Sequence, residues 1–176
     1  MTQHRLLFVC TDDICRAPLA EGIARRLLAE EDRLDEFLLA STGRRQLAAG
    51  DLGEAGRMIA AEHGIDLTDL RIRPLDPLEL PGFSLVLALD QAALEVVVAM
   101  APDVCRHRVH RLLDFAPWME VTSVPRIDAG DPDGLAAALD VIELGLRGLM
   151  EVADQSAAEW AVPQGERARV KVSSTT

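Results

Sequence analysis

Cys10, Thr11, Asp12, Asp13, Ile14, Cys15 and Arg16 set a thiol and a guanidinium at the two ends of one short run. A thiolate is a strong nucleophile, and an arginine fork can grip two oxygens of a phosphoryl group at once. Chemistry of this kind depends on where the run sits. Arg5 to Val9 precedes it as a short apolar stretch that predicts a buried strand, and Pro18 follows it in a position suited to the first turn of a helix through Leu19, Ile23, Leu27 and Leu28. A loop between strand and helix can turn its backbone N–H groups inward around an anion, and the helix dipole adds positive potential. The same field favours the Cys10 thiolate. Thr11, Asp12, Asp13, Ile14, Cys15 and Ala17 would then surround the anion, Cys10 would attack phosphorus, and water would hydrolyse the cysteinyl-phosphate. Against this stands a plainer reading, a buried strand-end thiol and a surface arginine, because such a spacing also arises by chance.

The elements around the loop repeat its strand-then-helix order. Phe37 to Ala40 predicts a second strand, Gly53 to His63 a helix closed by Gly64, Ser84 to Leu89 a third strand, and Gln91 to Met100 another helix. Val109 to Phe115 predicts a fourth strand, and Gly134 to about Trp160 a long final helix stopped by Pro163. This alternation predicts one three-layer α/β domain over residues 1 to 162, with a four-stranded, mostly parallel sheet and helices on both faces. Residues 163 to 176 lack a periodic apolar face and are expected to be a disordered tail. Ligands of such sheets bind at the carboxyl ends of the strands, and the first such end is Cys10.

Composition narrows the classes further. The 176 residues, 49% of them apolar, suit a single core, and the formal charge of −11 opposes nucleic acid and anionic membranes as partners. The apolar stretch Ala92 to Ala101 is too short to span a bilayer and is broken by Glu95. No secretory leader pattern opens the chain, and three cysteines suit free thiols in a reducing compartment, so a cytoplasmic location is expected. The four histidines show no ligand spacing, and neither a metal nor another cofactor is expected.

The stretch from Val9 to Pro18 resembles the signature of low-molecular-weight protein tyrosine phosphatases, in which Val-Cys leads into Gly-Asn-Ile-Cys-Arg-Ser-Pro. Ser41-Thr42-Gly43 is similar to that family's Ser-Ala-Gly after the second strand. Glu62 to Leu67 followed by Arg71 and Arg73, then Leu85 to Asp90, then Leu112 to Pro117, match further segments in order. The resemblance covers most of residues 5 to 155. It implies Cys10 as nucleophile, Arg16 as phosphate ligand, a phosphorylated protein or small phosphomonoester as partner, and a protective disulfide between Cys10 and Cys15 under oxidation.

The pattern breaks at several family positions. The family's general acid sits in an Asp-Pro dipeptide after Val-Pro, but here Val124-Pro125 leads into Arg126, and an arginine does not release a proton at neutral pH. Asp128 or Asp131 could take over the acid role if the loop follows another path, or both are turn and N-cap residues before the last helix. Asp12 and Asp13 replace Gly and Asn, adding carboxylates to a loop meant for a dianion. Ala17 replaces a serine that supports the thiolate, and Leu47 and Ala48 stand where aromatic or histidine side chains often line the cleft. Two functions follow: a cysteine-dependent phosphomonoester hydrolase of attenuated activity, or an inactive pseudophosphatase that binds anions or proteins.

Overall fold

The computed structural model describes residues 3–11, 16–43, 53–66, 73–128, 130–155 and 160. Four strands, β1 (His4–Val9), β2 (Phe37–Thr42), β3 (Leu85–Ala88) and β4 (Val109–Arg111), form one sheet in the order β2-β1-β3-β4. Every pairing is parallel. The expectation of a mostly parallel sheet thus sharpens to a wholly parallel one.

A parallel sheet covered on both faces needs central strands that are apolar on both sides. β1 and β3 meet this need by alternation. Leu6 and Phe8 of β1, with Leu85 and Leu87 of β3, join the core beneath α1 (Ala17–Glu30) and α5 (Pro132–Gln155). Leu7, Val9, Val86 and Ala88 face the opposite layer, where α3 (Gln91–Met100) inserts Ala93 and Val97 and the short α4 (Asp103–Arg106) inserts Cys105. Phe8 is wholly enclosed, so Phe8→Ala would cost about 3–5 kcal/mol.

α2 (Gly53–Glu62) packs against α5 and ends where expected, since Gly64 takes φ +69° and its N–H donates to the Ala61 carbonyl at 2.9 Å. A side chain is strained in that conformation, which is why glycine closes this helix. The fourth strand is shorter than expected. Asp114 accepts from the backbone N–H and the guanidinium of Arg111, and this local pairing turns Leu112–Phe115 into a 3-10 segment. The apolar residues from Leu112 onward are still buried, against α5 rather than in the sheet. α4 was not foreseen, because four residues carry no periodicity. The last helix is described to Gln155, and the expected tail from residue 163 lies outside the described residues. Among the described residues no helix is long and apolar enough to cross a membrane.

Candidate active site

The carboxyl ends of β1, β2 and β3 converge on the start of α1. Cys10 continues the β1 pairing by one residue, its N–H donating to the Thr42 carbonyl at 3.3 Å, and Leu89 N–H bonds the Val9 carbonyl at 3.0 Å. The expected nucleophile therefore stands at a strand end in the middle of the sheet, 1% exposed, with Thr11 half-buried after it. Cys10 is disulfide-bonded in this structure, whereas Cys105 is a buried free thiol. The expected partner Cys15, with Asp12, Asp13 and Ile14, lies outside the described residues, as do Leu47 and Ala48.

Arg16 is the N-cap residue of α1, and its side chain is completely buried, not a surface residue. A buried guanidinium requires acceptors. Its Nη2 donates to Asp90 Oδ2, and its Nη1 donates to the carbonyls of Val124 and, at 3.3 Å, of Pro125. Two distant segments thus meet on one cation. Asp90 follows β3, and its other carboxylate oxygen caps α3 through Ala93 N–H at 2.7 Å. Val124 is itself fastened to the end of β3, its N–H bonding the Leu89 carbonyl at 2.8 Å. Ala17 is buried and offers no hydroxyl beside the loop.

A buried carboxylate also supports this end of α1. Glu21 accepts from Ser41 Oγ at 2.8 Å and from Arg25, which ties the helix to the end of β2. Neither Asp90 nor Glu21 was singled out from the sequence as a functional side chain. For Asp90 a signal existed: a carboxylate two residues after β3, the strand beside β1, stands at the same sheet edge as the loop.

The segment expected to hold the acid lies against this cluster. Val124 is buried, Arg126 is exposed, Ile127 is buried at 7% exposure and Asp128 is exposed. Asp131 Oδ1 accepts from Gly134 N–H at 3.0 Å, the bond of an N-cap residue opening α5. Gly130, at φ +80°, makes the turn between the two aspartates. Among the described residues no group of three His, Cys, Asp or Glu side chains could hold a metal ion.

The family model for low molecular weight phosphotyrosine protein phosphatase matches residues 5–159. Low molecular weight protein-tyrosine-phosphatase Etp of Escherichia coli is 30% identical over 158 residues, which cover 90% of this chain and 93% of that protein. A low molecular weight protein-tyrosine-phosphatase of Streptomyces coelicolor is also 30% identical, over 84% of this chain and 92% of its own length. The same fold is found in a protein tyrosine phosphatase from Entamoeba histolytica, with TM-score 0.78, 20% identity and coverage of 89% of this chain and 100% of that one. The YfkJ structure from Bacillus subtilis superposes with TM-score 0.73 at 24% identity, over 88% of this chain and 97% of the other. On the match of the family model to nearly its whole length, this chain belongs to the low molecular weight phosphotyrosine protein phosphatase family.

Proposed function

We propose that the protein is a cysteine-dependent phosphomonoester hydrolase of the protein-tyrosine-phosphatase kind, working without the usual general acid. The observation that carries this reading is the buried Arg16 guanidinium at the same sheet edge as Cys10, oriented by Asp90. A cation sequestered at a strand-to-helix loop is what a dianion would need in a chain of net charge −11. Reduced Cys10 attacks phosphorus, the ester oxygen leaves, and water then cleaves the phosphorus–sulfur bond to release orthophosphate.

The acid is the weak part of the machinery. Arg126 follows the Val124-Pro125 pair that touches Arg16, and the carboxylate of Asp131 is engaged at the helix cap, which leaves Asp128 as the better substitute. The absence of a positioned acid lowers rates by about 10²- to 10⁴-fold for leaving groups that need a proton. One observation favours the second reading, an anion- or protein-binding pseudophosphatase: Arg16 already spends donors on Asp90, Val124 and Pro125. Turnover of nitrophenyl phosphate under reducing conditions separates the two. Cysteine-dependent hydrolysis predicts measurable release by the wild type and none above background by Cys10→Ser. Equal rates for both proteins would leave the binding-module reading standing.

A further inference from the structure

The residue that removes the acid adds a cation at the same place. Pro125 O lies 3.3 Å from Arg16 Nη1. Peptide geometry fixes the next Cα about 3 Å from that oxygen, so the backbone of Arg126 stands within about 6 Å of the buried guanidinium. An extended arginine side chain spans a comparable length, so Arg126 has the reach to meet a phosphoryl group gripped by Arg16. Val124 and Ile127, both buried, anchor the segment on either side of this position, while Arg126 itself is exposed. Arg126 is thus held at the edge of the site by a fixed backbone.

A guanidinium there cannot protonate a leaving oxygen, but it can stabilise one that departs as an anion, as fixed cations do in phosphoryl transfer. Resting on the proposed hydrolase reading, we propose that the site is specific for acyl phosphates, whose leaving group is a carboxylate, and that Arg126 is the residue that receives this carboxylate. In the first step the Cys10 thiolate forms a sulfur–phosphorus bond while the phosphorus–oxygen bond breaks, and the electron pair leaves with the carboxylate. No proton is required. In the second step water attacks phosphorus, the electron pair of the sulfur–phosphorus bond returns to Cys10 as thiolate, and both hydrogens of the water depart on dihydrogen phosphate. Charge selects acyl phosphates over phosphoric anhydrides, because a pyrophosphate adds negative charge beside Asp90 in a chain of net charge −11.

The test measures kcat/KM of reduced wild type, Cys10→Ser, Arg126→Met and Arg126→Lys on acetyl phosphate, pyrophosphate, nitrophenyl phosphate and phosphotyrosine. The expected order for the wild type is acetyl phosphate above nitrophenyl phosphate, with phosphotyrosine and pyrophosphate at least about 100-fold below acetyl phosphate. Arg126→Met should lose about 10-fold or more on acetyl phosphate and much less on nitrophenyl phosphate, with unchanged thermal stability, and Arg126→Lys should recover part of the loss. Acetyl phosphate no better than nitrophenyl phosphate, or an Arg126→Met loss equal on all substrates, overturns the inference while leaving a cysteine-dependent hydrolase intact. Turnover by Cys10→Ser equal to wild type on every substrate overturns both.

Discussion

The two ends of α1 each carry an arginine that binds carboxylates, yet they are built for different purposes. At the N-terminal end Arg16 is sealed from solvent, with Asp90 and the carbonyls of Val124 and Pro125 as fixed acceptors from two segments. Toward the other end Arg26 is partly exposed, and bonds Glu30 at 2.7 Å and Glu143 of α5 at 2.5 Å. Glu143 in turn accepts from Arg147. The second cluster is one of partly solvated partners that fasten a helix pair. The first holds a single cation in one orientation at the edge of the sheet, which a site requires and a surface does not.

If that contrast is right, the two clusters should answer mutation very differently. Asp90→Ala leaves Arg16 buried without its carboxylate and removes the cap of α3, so urea unfolding should show a loss of about 3–5 kcal/mol. Asp90→Asn keeps the cap and should cost less, while still impairing phosphate binding. A loss below about 1 kcal/mol for Asp90→Ala would mean that Arg16 is not held by this pair. Arg26→Gln, by contrast, should cost no more than about 1 kcal/mol, and less at high salt.

The smallest effect expected is in the acid range. Burial alone would raise the Glu143 pKa, but the bonds and charges of Arg147 and Arg26 outweigh it and hold the carboxyl below its ordinary value. A carboxylate with a depressed folded-state pKa contributes stability above its unfolded value, and the contribution disappears as pH falls through the folded value. Glu143→Gln should therefore cost stability near neutrality, by no more than about 1 kcal/mol, change little once pH falls below the folded-state pKa, and so flatten the profile below about pH 4.5, as read by thermal unfolding against pH. A larger loss at pH 3 than at pH 7 would contradict this assignment.

The same contrast explains what was legible in the sequence. Cys10 and Arg16 could be found because a local run, an apolar strand before it and a helix-starting proline after it all lie within fifteen residues of chain. Strand–helix alternation gave the layers, since Leu6 to Val9 and Leu85 to Ala88 are apolar on both faces. Long-range partners were not legible. Arg16 meets Asp90 across 74 residues and Val124 across 108, and no periodicity announces such a pairing. Val109 to Phe115 misled because apolar content predicts burial, not pairing, and the Arg111–Asp114 contact bends the chain out of the sheet. Asp131 illustrates the opposite case: its two sequence readings were an acid and a helix cap, and its bond to Gly134 N–H supports the cap.

The central claim is that Cys10 performs displacement at phosphorus with no proton donor at position 126. It is tested most directly by kcat/KM of the reduced protein across aryl phosphates of increasing leaving-group pKa, from nitrophenyl phosphate to phosphotyrosine. A steep decline is predicted, with phosphotyrosine nearly inert and Arg126→Asp, combined with Ile127→Pro, restoring about 10-fold or more to the poorest leaving group. A flat dependence in the wild type, abolished by Asp128→Asn, would contradict the claim and assign the acid to Asp128.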